Sequence, residues 1–162
     1  MSSTYLIALG SNRCHSLYGR PRDVLRAAME ELAALGTVSK RSRIIRTEPI
    51  GAAQRRFANA VVALESEYDP PSLLAALKRM EREFGRRTFR RWGDRVLDCD
   101  IVLWEAGSWA SRSLKIPHPL FRDRSFVLGP ASAICPDWRD PVSGLSVRHI
   151  NARLTRPRPL TR

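Results

Sequence analysis

The order of strand-like and helix-like segments constrains the fold of this 162-residue chain more than any other feature. Short apolar or alternating runs predict strands at residues 5–9, 38–47, 57–67 and 97–104. Apolar residues at helical spacing follow Pro21 and Asp69, and Gly36 and Gly85 close these two helical segments. The order strand, helix, strand, strand, helix, strand is that of the ferredoxin-like βαββαβ core. We therefore predict an α+β fold with a mainly antiparallel sheet, helices on one face, and C-terminal additions.

The C-terminal region continues this single unit without a recognisable linker. We expect a short strand at 114–116, a helix at 126–134, and a basic tail that is loosely ordered from about Asn151. The chain contains no internal repeat and no low-complexity segment. Its length suits one domain with its own core, so we predict one domain over residues 1–162.

The charge balance indicates an anionic partner. Lys and Arg number 28 against 16 Asp and Glu, giving a net charge of +12. Such an excess suits a nucleotide, a nucleic acid or a membrane surface. The three cysteines are odd in number and match no metal or redox spacing, as in a reducing cytosol. With no apparent signal peptide and no apolar run of membrane-spanning length, we expect a cytoplasmic protein.

An arginine-rich loop stands directly before two carboxylates. Five arginines lie between Gly85 and Asp98, and Asp98 and Asp100 share one face of a strand at about 6.6 Å between Cα atoms. Mg²⁺ is bound by one or two carboxylates completed by phosphate oxygens, and arginines grip phosphates. The segment therefore predicts a site for a nucleotide polyphosphate with its metal. The alternatives are solvent-facing aspartates and a basic surface loop in place of a mobile lid.

Two further side chains near this motif have more than one interpretation. Trp92 either stacks on a base or covers the closed site, or it anchors the core. His118 lies between two prolines and is either a hydrogen-bonded structural residue or a phosphate contact, which the following Arg122 and Arg124 favour. The chain has neither a P-loop nor the kinase glycine-rich loop, and Gly10-Ser11-Asn12 alone is a weak signal.

Several stretches together resemble one enzyme family, the 6-hydroxymethyl-7,8-dihydropterin pyrophosphokinases of folate biosynthesis. They occur in the family's order over roughly residues 5 to 130. The matching stretches are Ala8–Asn12, Thr47–Gly51, Phe57–Asn59, Gly85-Arg86 with Arg91–Arg95, Leu97–Ile101, and Leu114–Pro119 continuing to Arg124–Leu128. The Asp-x-Asp and Pro-His-Pro segments are specific in combination.

The resemblance implies pyrophosphate transfer from ATP to the hydroxymethyl oxygen of the pterin, leaving AMP. It places Asp98 and Asp100 on two Mg²⁺ ions between the ATP phosphates and the attacking hydroxyl. It assigns Arg86 and Arg95 to the transferred group and Trp92 to the same closing loop. The resemblance also implies the ferredoxin-like fold predicted above.

The remaining implied contacts belong to the two substrates. The residues expected to contact ATP are Glu81, Arg87, Ile101, His118 and Arg124. The residues expected to line the pterin pocket are Thr47, Ile50, Phe57, Asn59 and Phe126, with the two aromatic rings sandwiching the pterin. An amide such as that of Asn59 both donates to and accepts from the pterin edge. We expect a monomer that binds neither nucleic acid nor membrane.

This chain departs from the family pattern in ways that keep alternatives open. Thr88 stands where the family has a second arginine, Asp94 replaces a common proline, and Cys99 replaces a usual leucine. The insert Arg13–Arg20 is longer than the family's turn. The alternatives are a basic ferredoxin-like module that binds RNA, and a catalytically weakened paralogue that binds pterin or nucleotide.

Overall fold

A computed structural model describes residues 1–15, 17–47, 57–85 and 96–157. The strands in these ranges are β1 (Ser3–Ser11), β2 (Thr37–Arg41), β3 (Ile45–Thr47), β4 (Phe57–Ser66), β5 (Asp98–Trp104), β6 (Trp109–Ala110) and β7 (Lys115–Ile116). The α-helices are α1 (Pro21–Glu31), α2 (Pro70–Gly85), α3 (Ser125–Ile134) and α4 (Val147–Thr155). No helix in the described ranges is long and apolar enough to cross a membrane.

The main sheet has the strand order β2-β4-β1-β5, and β3 pairs with β4 beyond the end of β2. Every neighbouring pair in this sheet is antiparallel. Because β1 and β2 are both antiparallel to β4 between them, they run parallel to each other, and α1 makes the crossover that joins them. This topology confirms the predicted ferredoxin-like core.

One face of the sheet packs against α1 and α2. Tyr5, Ile7 and Leu9 alternate along β1, are at most 1% exposed, and lie in one apolar cluster with Leu25 of α1 and Leu77 of α2. Period-two alternation places such residues on a single face. Each fully buried aliphatic side chain contributes about 1.5–3 kcal/mol, so this face carries much of the stability.

The C-terminal additions cover the opposite face. Leu6 of β1 and Val61 of β4 form a second cluster with Phe121, Leu128 of α3 and Ile150 of α4. The sequence predicted C-terminal additions but did not place them. The sheet therefore has helices on both faces, and the second layer decides what surrounds the Asp98 end of β5.

The boundaries of α1 and α2 follow local chemistry. The Asp69 carboxylate accepts from the Ser72 backbone N–H at 2.9 Å, as an N-cap does. Helix α2 includes Gly85, which was predicted to lie just beyond its end. Between the helix α1 and β2, a Cβ on Gly36 would lie 2.1 Å from the Glu65 carbonyl oxygen, so only glycine allows the chain to approach β4 this closely.

The single strand predicted over 38–47 is interrupted in the structure. Strand β2 ends at Arg41 and β3 begins at Ile45. Ser42 lies in the gap, where its N–H donates to the Val61 carbonyl at 2.9 Å and its hydroxyl accepts from the Val61 N–H at 2.8 Å. A side-chain oxygen thus replaces a strand partner, which a pattern of apolar residues does not reveal.

Part of the segment predicted to be a loosely ordered tail is helical. The Ser146 hydroxyl accepts from the His149 N–H at 3.2 Å and caps α4, which continues to Thr155. The expectation of a loosely ordered tail from Asn151 is therefore wrong for Asn151–Thr155. Buried Val147 and Ile150 hold this helix on the second cluster. Tertiary packing explains the extra helix, because its nine residues have little helical stability alone.

Candidate active site

Strand register aligns a row of residues at one end of the sheet. Gly10 of β1 is opposite Asn59 of β4 on one side and opposite Asp98 of β5 on the other. Asn59 is in turn opposite Ile45 of β3. Stretches that are far apart in the sequence therefore meet across four adjacent strands.

Alternation shows which face these residues occupy. Ala58 of β4 and Cys99 of β5 pack into the cluster beneath α1 and α2. Their neighbours Asn59, Asp98 and Asp100 therefore face the α3 side. Both aspartates are half-buried, and they share one face of β5 as the sequence predicts.

The Asn59 amide is held in place beside Gly10. Its Nδ2 donates to Thr47 Oγ1 at 2.7 Å. A Cβ on Gly10 would lie 3.3 Å from Asn59 Oδ1 and 3.8 Å from Phe57 Cδ1. Three residues expected in the pterin pocket (Thr47, Phe57 and Asn59) are therefore neighbours, and Gly10 leaves the space beside Asn59 without a side chain. Sequence reasoning missed this role of Gly10, for which the Gly-Ser-Asn stretch was the only signal.

His118 lies near Asp100 and Arg124. Its backbone N–H donates to the Val102 carbonyl at 3.0 Å, which ties the segment after β7 to β5. Its Nδ1 accepts from the Leu120 N–H at 3.1 Å, so the neutral ring carries its proton on Nε2. Burial lowers the pKa of His118, the Asp100 carboxylate raises it and the Arg124 guanidinium lowers it, with a net lowering. The ring is thus a neutral donor at pH 7.

Arg124 and Arg122 follow one another closely in the sequence but have different partners. The Arg124 guanidinium lies over the Phe126 ring, 5.7 Å from its centroid, at the start of α3. Arg122 instead binds the fully buried Asp140, with Nε to Oδ2 at 2.6 Å and Nη2 to Oδ1 at 2.8 Å. The sequence interpretation favoured both arginines as support for a phosphate contact. Since Arg122 is occupied by Asp140, only Arg124 remains for that role.

The Asp140 pair anchors the second helical layer. Burial would raise the pKa of the Asp140 carboxyl, but bonds from Arg122 and the Ser143 hydroxyl outweigh it and lower the pKa to about 2. The Val142 N–H donates a further bond to Asp140 at 3.0 Å. This network connects the segment before α3 to the turn before α4.

Glu81 contacts the backbone between the two aspartates. Its Oε1 accepts from the Cys99 N–H at 2.7 Å, and its Oε2 lies 3.2 Å from Lys78 Nζ. Because β5 is an edge strand, this carboxylate of α2 takes the place of a strand partner. Burial raises the pKa of the Cys99 thiol, and the Glu81 carboxylate raises it further. The described contacts of Glu81 therefore position β5, whereas the family resemblance implies an ATP contact for it.

Ile101 has a different environment from the other expected ATP contacts. Its side chain is 3% exposed and lies in the cluster beneath α1 and α2. The side chain thus faces away from Asp98 and Asp100. A contact between Ile101 and a ligand would have to come from its backbone. Five other predicted site residues lie outside the described residues: Ile50, Arg86, Arg87, Trp92 and Arg95.

The donor set at Asp98 and Asp100 fits a magnesium ion better than a closed metal site. Among the described residues, no group of three or more His, Cys, Asp or Glu side chains could hold a metal ion together. Structural zinc sites need such a set of protein ligands. Mg²⁺ keeps several waters and uses one or two carboxylates with substrate phosphates. Two half-buried carboxylates on one face meet that requirement.

The geometry defines a class of protein. This chain is an α+β domain with a ferredoxin-like core, in which a carboxylate pair and an oriented amide share the α3 side of one sheet end. A neutral histidine lies near Asp100. The sequence profile of the 7,8-dihydro-6-hydroxymethylpterin-pyrophosphokinase family matches residues 6–136. The chain belongs to this family.

Individual relatives agree with this assignment. The 2-amino-4-hydroxy-6-hydroxymethyldihydropteridine pyrophosphokinase of Methylorubrum extorquens is 38% identical over 157 residues, covering 95% of this chain and 94% of the relative. The protein of the same name from Synechocystis is 35% identical over 144 residues, covering 88% of this chain and 71% of the relative. Both relatives are named as pyrophosphokinases, which are transferases.

A solved structure shows the same fold at low identity. The crystal structure of Plasmodium falciparum HPPK-DHPS wild type matches 94% of this chain with a TM-score of 0.75 and 13% identity. This chain spans 45% of that protein. At this identity the likeness concerns the fold alone.

Proposed function

We propose that this chain catalyses ATP-dependent pyrophosphoryl transfer to 6-hydroxymethyl-7,8-dihydropterin in folate biosynthesis. In this reaction the hydroxymethyl oxygen forms a bond to the β-phosphorus of ATP. The bond between that phosphorus and the oxygen bridging to the α-phosphorus breaks, AMP leaves with that oxygen, and the hydroxyl proton passes to water. The observation that carries the proposal is the register that aligns Asn59, Gly10 and Asp98.

The pterin side of the proposal rests on the space beside Asn59. Its amide is oriented by Thr47 and is 6% exposed, so it suits a buried heterocycle edge with paired donors and acceptors. Phe57 lies at the same strand end, and Phe126 is part of the α3 layer that faces it. A ring bound between these groups would have its hydroxymethyl substituent directed across Gly10 towards Asp98.

The ATP side rests on the charged groups around β5. Asp98 and Asp100 would hold Mg²⁺, for which we propose two ions. When bound, Mg²⁺ would neutralise the negative charge on the phosphate oxygens. His118 donates from Nε2, and Arg124 offers a planar guanidinium, so both can bind phosphate oxygens without losing a proton. Glu81 keeps the backbone at Cys99 in place and thereby sets the direction of both aspartates.

The remaining assignments stay part of the proposal. We propose that Arg86 and Arg95 stabilise the transferred group together with Trp92, that Arg87 contacts ATP, and that Ile50 contacts the pterin. We further propose a cytoplasmic monomer whose partners are these two substrates. The described cysteines Cys14, Cys99 and Cys135 are all free thiols, as suits a reducing compartment.

The experiment that tests the proposal measures AMP formation from ATP. AMP should appear only when Mg²⁺ and 6-hydroxymethyl-7,8-dihydropterin are both present, in a one-to-one ratio with the pterin pyrophosphate. The matched control replaces the pterin by its 6-methyl analogue, which lacks the attacking oxygen. AMP release with the analogue would indicate hydrolysis in place of transfer.

The same assay separates the alternatives. A chain that binds both substrates but forms no AMP would be the weakened paralogue. A chain that forms no AMP and binds RNA with a steep salt dependence would be the RNA-binding module. Either result would overturn the proposed activity.

A further inference from the structure

A cavity lies beside Phe57. It has a volume of about 290 Å³ and is formed where the beginning of α1 meets the end of the β3–β4 pair. Its lining residues are Arg20, Pro21, Arg22, Ile44, Arg46, Phe57 and Ala58. Three of these seven side chains are guanidinium groups, and three others are large apolar groups.

Register places this cavity away from the carboxylate pair. Arg46 is opposite Ala58 in the β3–β4 pair, and Ala58 packs beneath α1. Side chains at opposed positions lie on the same face of a sheet, so Arg46 projects to the α1 side. Asp98 and Asp100 project to the α3 side. Arg46 and the carboxylate pair therefore lie on opposite faces of the same sheet end.

Among the described residues, few carboxylates compensate the positive charge of the cavity. Arg20 lies 3.6 Å from Asp23, but Asp23 is shared with Arg26 at the same distance. Within the part of the chain that the structure describes, Arg22 and Arg46 have no carboxylate partner. The N-terminal end of α1 adds a partial positive charge at the same place. Nearby guanidinium groups repel one another, so an anion between them would lower the electrostatic energy.

The apolar lining restricts the kind of anion. Phe57, Ile44 and Pro21 provide flat or apolar walls, and a guanidinium binds phosphate or carboxylate oxygens in a planar, two-bond geometry. A fully hydrated inorganic ion would leave these walls without a partner. A small organic anion with a planar body and at least two negative charges would satisfy both parts of the lining.

We infer that this cavity is a second ligand site, which binds a small planar organic dianion through Arg20, Arg22 and Arg46. Such a ligand carries two negatively charged oxygens on a planar ring. Either a phosphate ester or a dicarboxylate would supply them. The inference concerns binding and does not depend on the proposed transferase activity. Phe57 is common to both sites, so occupancy of the cavity also alters the environment of the Asn59 space.

The test is a titration followed at a residue inside the cavity. The Ile44 side-chain methyl, labelled with ¹³C, reports occupancy here and not at the carboxylate pair. The two probes are phenyl phosphate and isophthalate, each added without Mg²⁺. We expect a saturable shift of the Ile44 methyl signal with at least one probe. The probe that binds more tightly identifies the source of the oxyanions.

Paired variants control for overall charge. R22A/R46A removes two guanidinium groups from the cavity, and R148A/R153A removes the same charge from exposed positions on α4. We expect at least tenfold weaker binding in the first variant and unchanged binding in the second. Thermal unfolding of both variants verifies that they are folded.

Two outcomes would overturn the inference. One is an Ile44 signal that does not saturate with either probe. The other is equal weakening in R22A/R46A and R148A/R153A, since that result would mean general attraction to a basic protein. R22K/R46K adds a further check, because lysine retains the charge but loses the two-bond geometry. Binding that remains at the wild-type level in R22K/R46K would contradict the planar recognition.

Discussion

Neighbouring residues at the ends of β1, β4 and β5 differ sharply between the two faces of the sheet. On the α1/α2 side, Leu9, Ala58 and Cys99 are apolar and at most 4% exposed. The residues next to these in the sequence lie on the α3 side and are Gly10, Asn59 and Asp98. The same three strand ends thus contribute to the core through one set of residues and to the proposed chemistry through the adjacent set. Substitutions on the α1/α2 side should therefore reduce stability, and substitutions on the α3 side should reduce activity.

The largest effect is expected at the carboxylate pair. D98N removes the charge that would hold Mg²⁺, so the rate of AMP formation should fall by about 10³-fold. The midpoint of thermal unfolding should change little, because the strand and its backbone contacts remain. The matched control is D123N, which neutralises an exposed aspartate in the segment before α3. A D98N enzyme with near-normal turnover would mean that Asp98 does not bind the metal.

The next effect tests the apolar face of the same strand. L9A removes a side chain that is 1% exposed and should lower the free energy of unfolding by about 3 kcal/mol, because it leaves a cavity in the core. The KM values of the protein that remains folded should stay close to those of the wild type. Urea unfolding and steady-state kinetics measure the two quantities. L120A, at a residue that is 49% exposed, is the control and should cost about 0.5 kcal/mol or less. Equal losses in the two variants would contradict the proposed core.

A third prediction concerns pH and the layer that covers the α3 side. The folded pKa of Asp140 is lowered to about 2 from an ordinary value of 3.8. A lowered folded pKa stabilises the protein above the unfolded pKa, and this contribution is lost as the pH falls from about 4 towards 2. Over this pH interval, the free energy of unfolding of the wild type should therefore fall by about 2 kcal/mol more than that of D140N. Urea unfolding at several pH values measures this difference, and parallel curves for the two proteins would contradict it.

The smallest effect is expected at Gly10. In G10A the new Cβ would lie 3.3 Å from Asn59 Oδ1, so it would crowd the pterin space and raise the KM for pterin by roughly tenfold, or about 1.4 kcal/mol. The KM for ATP should not change. G129A is the matched control, because its Cβ would meet nothing within 4 Å and alanine favours the helix α3 by up to about 1 kcal/mol. A similar rise in both KM values would place Gly10 outside the pterin space.

Much of the fold could be predicted from local patterns. The alternation in β1 and β4 and the helical spacing after Pro21 and Asp69 are repeated signals, each spread over many residues. The helix α4 was missed because its stability comes from contacts of Val147 and Ile150 with the second cluster. The gap at Ser42 was missed because one hydroxyl group decides it.

The candidate site could be predicted only in part, for a related reason. The spacing of Asp98 and Asp100 alone indicates a shared face, because strand geometry is local. The different partners of Arg122 and Arg124 had no local signal, since Asp140 lies 18 residues from Arg122. The contact between Glu81 and the Cys99 N–H spans the same sequence distance and likewise depends on how α2 lies along β5.

The sequence by itself determined the element order, the aspartate pair and the family resemblance, because each of these is encoded in nearby residues. Only the tertiary structure decided that Asn59, Gly10 and Asp98 lie in one row, that Arg122 is bound by Asp140, and that three arginines surround a separate cavity. These facts depend on strand register and helix placement, which bring together residues that are distant along the chain. A contact of that kind has no signature in the residues on either side of it.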